Sequence, residues 1–192
     1  MTARWVVDGV QPERDLEITW EPISLLLKND PDPASDRYPV YKRTHDLLRV
    51  LESVRASDGN DGVFALYWEF GRRIHHDREL MGFPVVDALS SAGLDGSHSE
   101  AYDDEAWDDE IRARMDAGLE LAGDDIGTPI IAFDNAAGVR VGIFGPVITR
   151  VPDRDLSLQL WDGLTAVMAV PASGNSNGPE PNVPSSANGR ND

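Results

Sequence analysis

The order of hydrophobic periodicities along the chain constrains its fold more than any other feature. A helical apolar face begins near Trp5, and residues 16–21 then alternate strictly between apolar and polar side chains until Pro22 ends the segment. From about residue 38 to residue 122 the apolar positions recur at helical spacing, and short strand-like segments follow. The order helix, strand, helical block, hairpin and helix predicts an α/β fold with a helical insertion.

Several apolar stripes subdivide the helical block, and glycines such as Gly59 and Gly62 lie between them. Each stripe repeats every three or four residues, as expected for the buried face of one helix. The stripes are Leu47, Leu48, Leu51 and Val54; Val63, Phe64, Tyr67, Phe70 and Ile74; Phe83, Val86 and Leu89; and Trp107, Ile111, Met115 and Leu119. The sequence therefore predicts about four helices in this block.

The remainder of the chain predicts a β-hairpin, a helix and a tail. Residues 129–133 and 139–143 are the expected strands, and residues 134–138 supply turn-forming side chains between them. Asp153 is positioned to cap a helix with an apolar face. That face comprises Leu156, Leu160, Leu164 and Met168. Residues 171–192 are rich in Pro, Gly, Ser and Asn and have almost no apolar side chains, so we predict a disordered tail.

Composition excludes several classes of function. The chain has 192 residues and no cysteine, so it cannot form a disulfide scaffold, a cysteine-based zinc site or an iron–sulfur cluster. Its 34 acidic and 17 basic residues give a net charge of −17, which repels phosphate backbones and anionic membranes. We therefore expect no nucleic-acid or membrane partner. No apolar run reaches the roughly 18 residues of a membrane span, and no signal peptide is recognisable, which predicts a cytoplasmic protein.

The ionisable side chains form no recognisable metal or nucleotide site. His75 and His76 are adjacent and point to different sides of a helix, while His45 and His98 have no partner at ligand spacing. The acidic run at 103–110 lacks the spacing and central glycine of an EF-hand, so it is interpreted as the solvated face of a helix. Neither a glycine-rich phosphate loop nor a serine nucleophile elbow is present. We expect no metal cofactor.

The stretch Gly127-Thr128-Pro129 is the most specific local motif, because it leads directly into a predicted strand. A thioredoxin-like fold places its cis-proline at such a position, where the preceding residue offers its backbone N–H and C=O to a bound thiol or peptide. The alternative is a trans proline that only begins a strand. The motif alone leaves both open.

Further motifs appear in an order that resembles a known family. Phe144-Gly145-Pro146 ends the hairpin, Leu160-Trp161-Asp162 lies in the last helix, and Arg73-Ile74-His75 lies in the helical block. Together with Gly127-Thr128-Pro129 they resemble the DsbA-like thioredoxin fold, and most closely the mycothiol-dependent nitroreductase family of actinobacteria. That family is related to disulfide oxidoreductases and 2-hydroxychromene-2-carboxylate isomerases. The resemblance extends over most of residues 1–168 and is weakest between about 80 and 105.

The resemblance implies an α/β thioredoxin-like (DsbA-like) fold with a helical insertion that lacks its first β-strand. Residues 1–24 and 127–170 would form the thioredoxin-like domain, residues 25–126 the helical insertion, and residues 171–192 the tail. In the family the first strand ends in a Cys-Pro-Trp motif, and the helix that follows resembles the segment beginning at Met1. We therefore expect that the chain is N-terminally truncated or begins at an internal methionine. The reactive cysteine would then lie before Met1, and the chain as given would be inactive.

The resemblance also implies residues that bind substrate or cofactor. They are Thr128, Pro129, Asn29, Tyr41 and His75, with Tyr38 as an alternative to Tyr41. Thr128 and Pro129 would face the missing cysteine motif. The others have structural alternatives, because Asn29 lies in a turn-forming loop, Tyr41 could be a packing residue, and a histidine near a helix C-terminus is favoured electrostatically.

Three functions are compatible with this pattern. The first is a DsbA-like oxidoreductase that uses mycothiol or another low-molecular-weight thiol to reduce small electrophilic nitro or disulfide substrates. The second is a thiol-dependent isomerase of the 2-hydroxychromene-2-carboxylate type, in which the sulfur of the cofactor performs the chemistry. The third is a non-catalytic thioredoxin-fold remnant. The resemblance favours the first, implies a small-molecule thiol and a small electrophile as partners, and leaves a homodimer open.

Overall fold

The chain is mostly helical, with a single β-hairpin among the residues whose structure is described. The computed structural model describes residues 1–170, so the tail predicted for residues 171–192 lies outside the described residues. Within residues 1–170 the strands form one two-stranded antiparallel sheet. This architecture is compatible with the predicted α/β thioredoxin-like class. None of the helices described is both long and apolar enough to cross a membrane.

Helix α1 comprises Thr2–Arg4, a π-helical stretch Trp5–Val10, and Gln11–Arg14. Trp5 is fully buried and its ring packs against Trp161 of the last helix, with ring centroids 6.0 Å apart. Its indole Nε1 donates a hydrogen bond to the Ser157 carbonyl at 3.3 Å. The apolar face predicted at the start of the chain is therefore covered by the last helix.

The strand predicted at residues 16–21 is wrong, because residues 16–24 have no ladder partner within the described chain. The predicted alternation survives as a pattern of burial, in which Leu16, Ile18 and Trp20 are half-buried and the residues between them are exposed. The Asn60 side chain forms hydrogen bonds with this backbone that a neighbouring strand would form in a sheet. Its Oδ1 accepts from Trp20 N–H at 3.1 Å, and its Nδ2 donates to the Ile18 carbonyl at 2.7 Å. A strand needs a second backbone at about 4.8 Å, and none of the described residues supplies one.

Two of the predicted helices are joined in the longest element. After the short helix α2 (Leu25–Asn29), helix α3 spans Tyr38–Gly71 and continues as a π-helical turn, Arg72–His76. The predicted break lies at Gly59, whose φ of 66° and ψ of −159° are not helical. Glycine adopts a positive φ without a Cβ clash. Helix α3 therefore consists of two helical segments that meet at a bend, one for each of the first two apolar stripes.

The rest of the block contains the other two predicted helices and two 3₁₀-helical segments that the apolar pattern did not indicate. Helix α4 spans Val85–Ser91 and helix α5 spans Asp108–Ala122, with 3₁₀-helical Gly96–Asp103 and Glu105–Trp107 between them. Buried apolar residues of α3, of α4 and of the segment between them form the main core. They are Leu47, Val50, Leu51, Val54, Val63, Leu66, Phe70, Phe83, Ala88 and Leu89.

The structure confirms the predicted hairpin. Strands β1 (Ile130–Asp134) and β2 (Arg140–Phe144) pair antiparallel, with Ala132 opposite Gly142. Helix α5 lies so close to this sheet that a Cβ added at Gly142 would be 2.7 Å from the Leu121 Cβ. Only a residue without a side chain fits there, so glycine sets the distance between helix and sheet.

Helix α6 (Arg154–Met168) begins where the sequence predicts, but its buried face differs from the predicted one. The Asp153 side chain caps it by accepting a hydrogen bond from Leu156 N–H at 3.0 Å. Met168 is buried as predicted, whereas Leu156 is 53% exposed. The buried residue of the first turns is Ser157, whose carbonyl accepts the Trp5 indole bond. Helix α6 is thus oriented by its contact with α1.

Candidate functional site

A cleft of about 650 Å³ lies between residues 16–20 and strand β1. Residues of the first turn of α1 contribute to its lining, and Tyr67 of α3 and Trp161 of α6 add aromatic side chains. Ligand pockets for small molecules are usually about 300–1,000 Å³. The cleft is therefore large enough for a small organic molecule.

Thr128 and Pro129 border this cleft together with the first turn of α1. The peptide bond between them is cis, as is the bond that precedes Pro146. The Thr2 hydroxyl links the start of α1 to the segment that follows β2. It donates to the Pro146 carbonyl at 2.8 Å and accepts from Ile148 N–H at 3.0 Å. The start of a helix is thus fixed beside the entry to β1. Free N–H groups and the helix dipole favour an anion, such as a thiolate, at that place.

The other predicted site residues do not line the cleft. Asn29 is the exposed last residue of α2, and Tyr41 is half-buried in the first turn of α3. His75 is exposed in the π-helical turn that follows α3. Their roles in binding stay predictions.

A second cavity of about 640 Å³ lies between the same two segments, residues 16–20 and β1, on the side of α5. Both cavities are bordered by Thr19 and by Ile130 and Ala132 of β1. Ile131 and Phe133 border only the first cavity, since side chains alternate between the two faces along a strand. The gap beside β1 therefore opens on both faces of the sheet, with α5 over one face and α1 and α6 over the other.

Trp20 and Tyr67 form an aromatic wall of the cleft, and further rings of α3 pack behind them. Trp20 stacks on Tyr67 and Phe64, with ring centroids 5.2 and 5.7 Å apart. Trp68 extends the cluster and lies under the guanidinium of Arg4 at 5.9 Å. Burial raises the pKa of the Tyr67 hydroxyl, which keeps it protonated and able to donate a hydrogen bond. This wall suits an apolar or aromatic ligand.

A buried polar network joins the helical block to α2, and the sequence did not indicate it. Ser24 Oγ lies 2.9 Å from His45 Nδ1, and His45 Nε2 lies 3.0 Å from Asp108 Oδ1. Arg49 donates from Nε and Nη2 to the same carboxylate at 2.6 and 2.8 Å. The contacts have the order of a Ser–His–Asp triad, but Ser24 is only 1% exposed and caps α2 through Leu27 N–H. The serine cannot reach a substrate, so the network is structural.

The two ionisable groups at the centre of this network have shifted pKa values. Burial lowers the pKa of His45, and the Asp108 carboxylate opposes part of that shift. Partial burial acts to raise the pKa of Asp108, but Arg49 and His45 hold it below its usual value. Residues 45 and 108 are 63 positions apart, so no local spacing could have revealed the pair. The interpretation of residues 103–110 as wholly solvated is therefore wrong at Asp108.

Polar groups border the cleft as well as aromatic rings. Within residues 1–170, no three His, Asp or Glu side chains are arranged to hold a metal. The start of α1 lies on one side of the cleft, and Thr19, Tyr67 and Thr128 contribute polar atoms that a polar ligand could contact. The chain has no cysteine, so none of its own residues supplies a thiol to this cleft.

Comparison with known families gives a match over most of the chain. The chain matches a family model over residues 1–173, a range that includes both sides of the cleft and the whole helical block. The model is that of the Rv2466c-like family, described as mycothiol-dependent nitroreductase Rv2466c. The match confirms the resemblance drawn from the sequence motifs. The chain belongs to the Rv2466c-like family of mycothiol-dependent nitroreductases.

Proposed function

We propose that the protein acts as a DsbA-like, thiol-dependent oxidoreductase that reduces nitro or disulfide substrates with mycothiol or a related low-molecular-weight thiol. The observation that carries the proposal is the cleft, which borders both the first turn of α1 and Thr128–Pro129 in a chain of this family. Thiol chemistry needs a thiolate, and a helix N-terminus stabilises one. The role proposed for the protein is to hold that sulfur beside the substrate.

When two thiols join as a disulfide, they release two electrons and two protons, which convert a nitro group into a nitroso group and water. The residues of this chain orient the reactants. Backbone N–H groups at the start of α1 lower the pKa of the thiol, and the backbone of Thr128 holds a polar group of the same molecule. Trp20 and Tyr67 provide the aromatic wall for the substrate. None of the 192 residues is a cysteine, so both thiols of this step come from molecules other than these residues, which supply the binding site and not the reductant.

Binding of mycothiol to the 192-residue chain tests the proposed thiolate site. Ala3 borders the cleft in the first turn of α1, so Ala3→Glu places a carboxylate where the thiolate is expected. We expect Ala3→Glu to weaken binding by at least about fivefold in calorimetry, while the neutral and similarly sized Ala3→Gln has little effect. S-methyl mycothiol cannot form a thiolate and should not distinguish the two variants. Equal weakening by Glu and Gln would contradict a thiolate at this position.

A turnover experiment tests the redox step. The chain mixed with mycothiol should reduce a fluorogenic nitro dye no faster than mycothiol alone, because the protein lacks a thiol. A fusion that adds a strand ending in Cys-Pro-Trp ahead of Met1 should reduce the dye, and replacing that cysteine by serine should abolish the rate. Turnover of 2-hydroxychromene-2-carboxylate by the cysteine-free chain would instead support the isomerase and contradict the proposal.

A further inference from the structure

The backbone of residues 17–20 is held by side chains of α3. The Asn60 Oδ1 accepts a hydrogen bond from Trp20 N–H at 3.1 Å, and the Asn60 Nδ2 donates to the Ile18 carbonyl at 2.7 Å. The Trp20 carbonyl accepts a further hydrogen bond from Arg55 Nη2. Within the described part of the chain, this stretch of backbone forms no other hydrogen bond. These three bonds therefore determine where the backbone of Trp20 lies.

One face of α3 contacts both the backbone and the ring of Trp20. Asn60, Phe64 and Tyr67 are separated by four and three residues, so they lie on the same side of the helical segment that follows Gly59. Phe64 and Tyr67 stack on the Trp20 ring, with centroids 5.7 and 5.2 Å from the centroid of that ring. A displacement of the Trp20 backbone would therefore move its ring relative to both stacking partners.

The bend at Gly59 fixes Asn60 relative to the helical block. Asp58 precedes the bend, and its Oδ2 lies 3.1 Å from Nε2 of His98 in the 3₁₀-helical segment Gly96–Asp103. The residue before the bend is thus anchored in the block, and the residue after it bonds to the backbone beside the cleft. Asn60 is therefore in place before a ligand binds, and binding does not have to order it.

We infer that Asn60 is a positioning residue for the aromatic wall, because it holds the Trp20 backbone where the ring can stack on Tyr67 and face a substrate. The inference rests on the proposed function, in which Trp20 and Tyr67 contact the substrate. Asn60 does not line the cleft, so it acts through Trp20. Asparagine suits this role, since its amide has an acceptor for the N–H of residue 20 and a donor for the carbonyl of residue 18.

A double-mutant cycle on the 192-residue chain tests this inference. The probe is 4-nitrobenzyl alcohol, a neutral nitroaromatic molecule, and its affinity is measured by calorimetry. Trp20→Leu removes the ring and should weaken binding by about tenfold. Asn60→Ala should weaken binding by at least about threefold in the wild-type chain. It should have no further effect in the Trp20→Leu variant, because the ring that it positions is then absent.

Two further variants control for effects on folding. Asp61→Ala removes a side chain of similar size from the next residue, which forms no hydrogen bond or ion pair within residues 1–170, and it should leave the affinity unchanged. Asn60→Asp retains the shape and the acceptor but not the donor to Ile18, so it should weaken binding in the same direction. It takes the place of Asn60→Ala in the cycle if that variant does not fold.

The near-ultraviolet circular dichroism of the unliganded chain gives a readout that does not need the probe. Asn60→Ala should reduce the part of this signal that Trp20→Leu removes, and Asp61→Ala should retain it. The far-ultraviolet spectrum should be the same in all these variants. An unchanged near-ultraviolet signal in Asn60→Ala would mean that the Trp20 ring keeps its place without Asn60, and it would overturn the inference.

The binding results separate a positioning role from a purely structural one. Equal weakening by Asn60→Ala in both backgrounds would mean that Asn60 does not act through Trp20, which overturns the inference. The absence of any weakening in the wild-type chain, or of probe binding to that chain, overturns it too. Turnover of the nitro dye by the Cys-Pro-Trp fusion would leave the proposed function standing in each of these cases. Coupling between Asn60 and Trp20 without turnover by the fusion would instead contradict the proposed function, while the positioning of the aromatic wall holds.

Discussion

The helical block and the sheet region, which comprises β1 and β2 with helices α1 and α6, differ in how completely their residues are buried. In the block, side chains such as Val50, Val54, Leu66 and Leu89 have no exposed surface. In the sheet region no residue of β1 or β2 is buried, although helices pack nearby. A strand becomes buried when it has neighbours along both edges as well as cover on its faces. Residues of β1 and β2 stay only half-buried because each strand has a neighbouring strand along one edge only, within the described part of the chain.

Charged residues show the same contrast. In the block, buried Arg49 is paired with two aspartates and buried Glu52 with two arginines. The two pairs that join α1 to α6, Arg14 with Asp162 and Glu13 with Arg154, lie largely in solvent. Exposed ion pairs contribute little to stability, whereas leaving a buried charge unpaired is strongly unfavourable. Paired charges in its interior thus stabilise the helical block, whereas the sheet region depends on the packing of Trp5 against α6.

Truncating one apolar side chain in each region gives the largest expected difference. Leu66→Ala removes a fully buried side chain from the main core, so we expect the free energy of unfolding to fall by about 2–5 kcal/mol. Ile131→Ala removes a half-buried side chain from β1 and should cost about 1 kcal/mol. Urea unfolding measures both. Equal losses would show that the sheet region is as completely packed as the block.

Two glycine substitutions test where the sheet region is tightly packed. Gly142→Ala would bring a Cβ to 2.7 Å from the Leu121 Cβ, so α5 has to move away from the sheet. We expect a loss of about 1–3 kcal/mol in the free energy of unfolding. The matched control is Gly163→Ala in α6, where an added Cβ meets no atom within 4 Å. Alanine has the higher helix propensity, so that variant should gain about 0.5–1 kcal/mol. A loss in Gly163→Ala would mean that α6 is more closely covered than the structure shows.

The same contrast explains how much the sequence could predict. Helices α5 and α6, the hairpin and the bend at Gly59 depend on local periodicity and turn chemistry, and all were predictable. The 3₁₀-helical segments lack an apolar stripe and were missed. At the site, Thr128–Pro129 was located from its motif, whereas the aromatic wall and the second cavity arise from tertiary contacts. The strand predicted at residues 16–21 failed because pairing depends on a distant segment that local alternation cannot supply.

The smallest expected effect is a pH dependence that belongs to the helical block. Burial lowers the pKa of His45 from its ordinary value of 6.5, so below pH 6.5 the unfolded chain binds a proton there that the folded chain does not bind. Stability from this group is therefore complete above pH 6.5 and is lost as the pH falls toward the lower pKa of the folded state. One proton gives a slope of at most about 1.4 kcal/mol per pH unit.

Replacing that histidine tests the origin of the slope. The variant His45→Gln should flatten the dependence of the free energy of unfolding on pH below pH 6.5, measured by urea unfolding at several pH values. The matched control for loss of an imidazole is His76→Gln, which removes an exposed histidine from outside the network. A second decline belongs to Glu69, since hydrogen bonds from Arg72 and Arg73 lower its pKa from 4.5 to about 2, and its contribution is lost only below pH 4.5. If His45→Gln keeps the full slope near pH 6, the titrating group lies outside the buried network, and the contrast between the two regions does not extend to their response to acid.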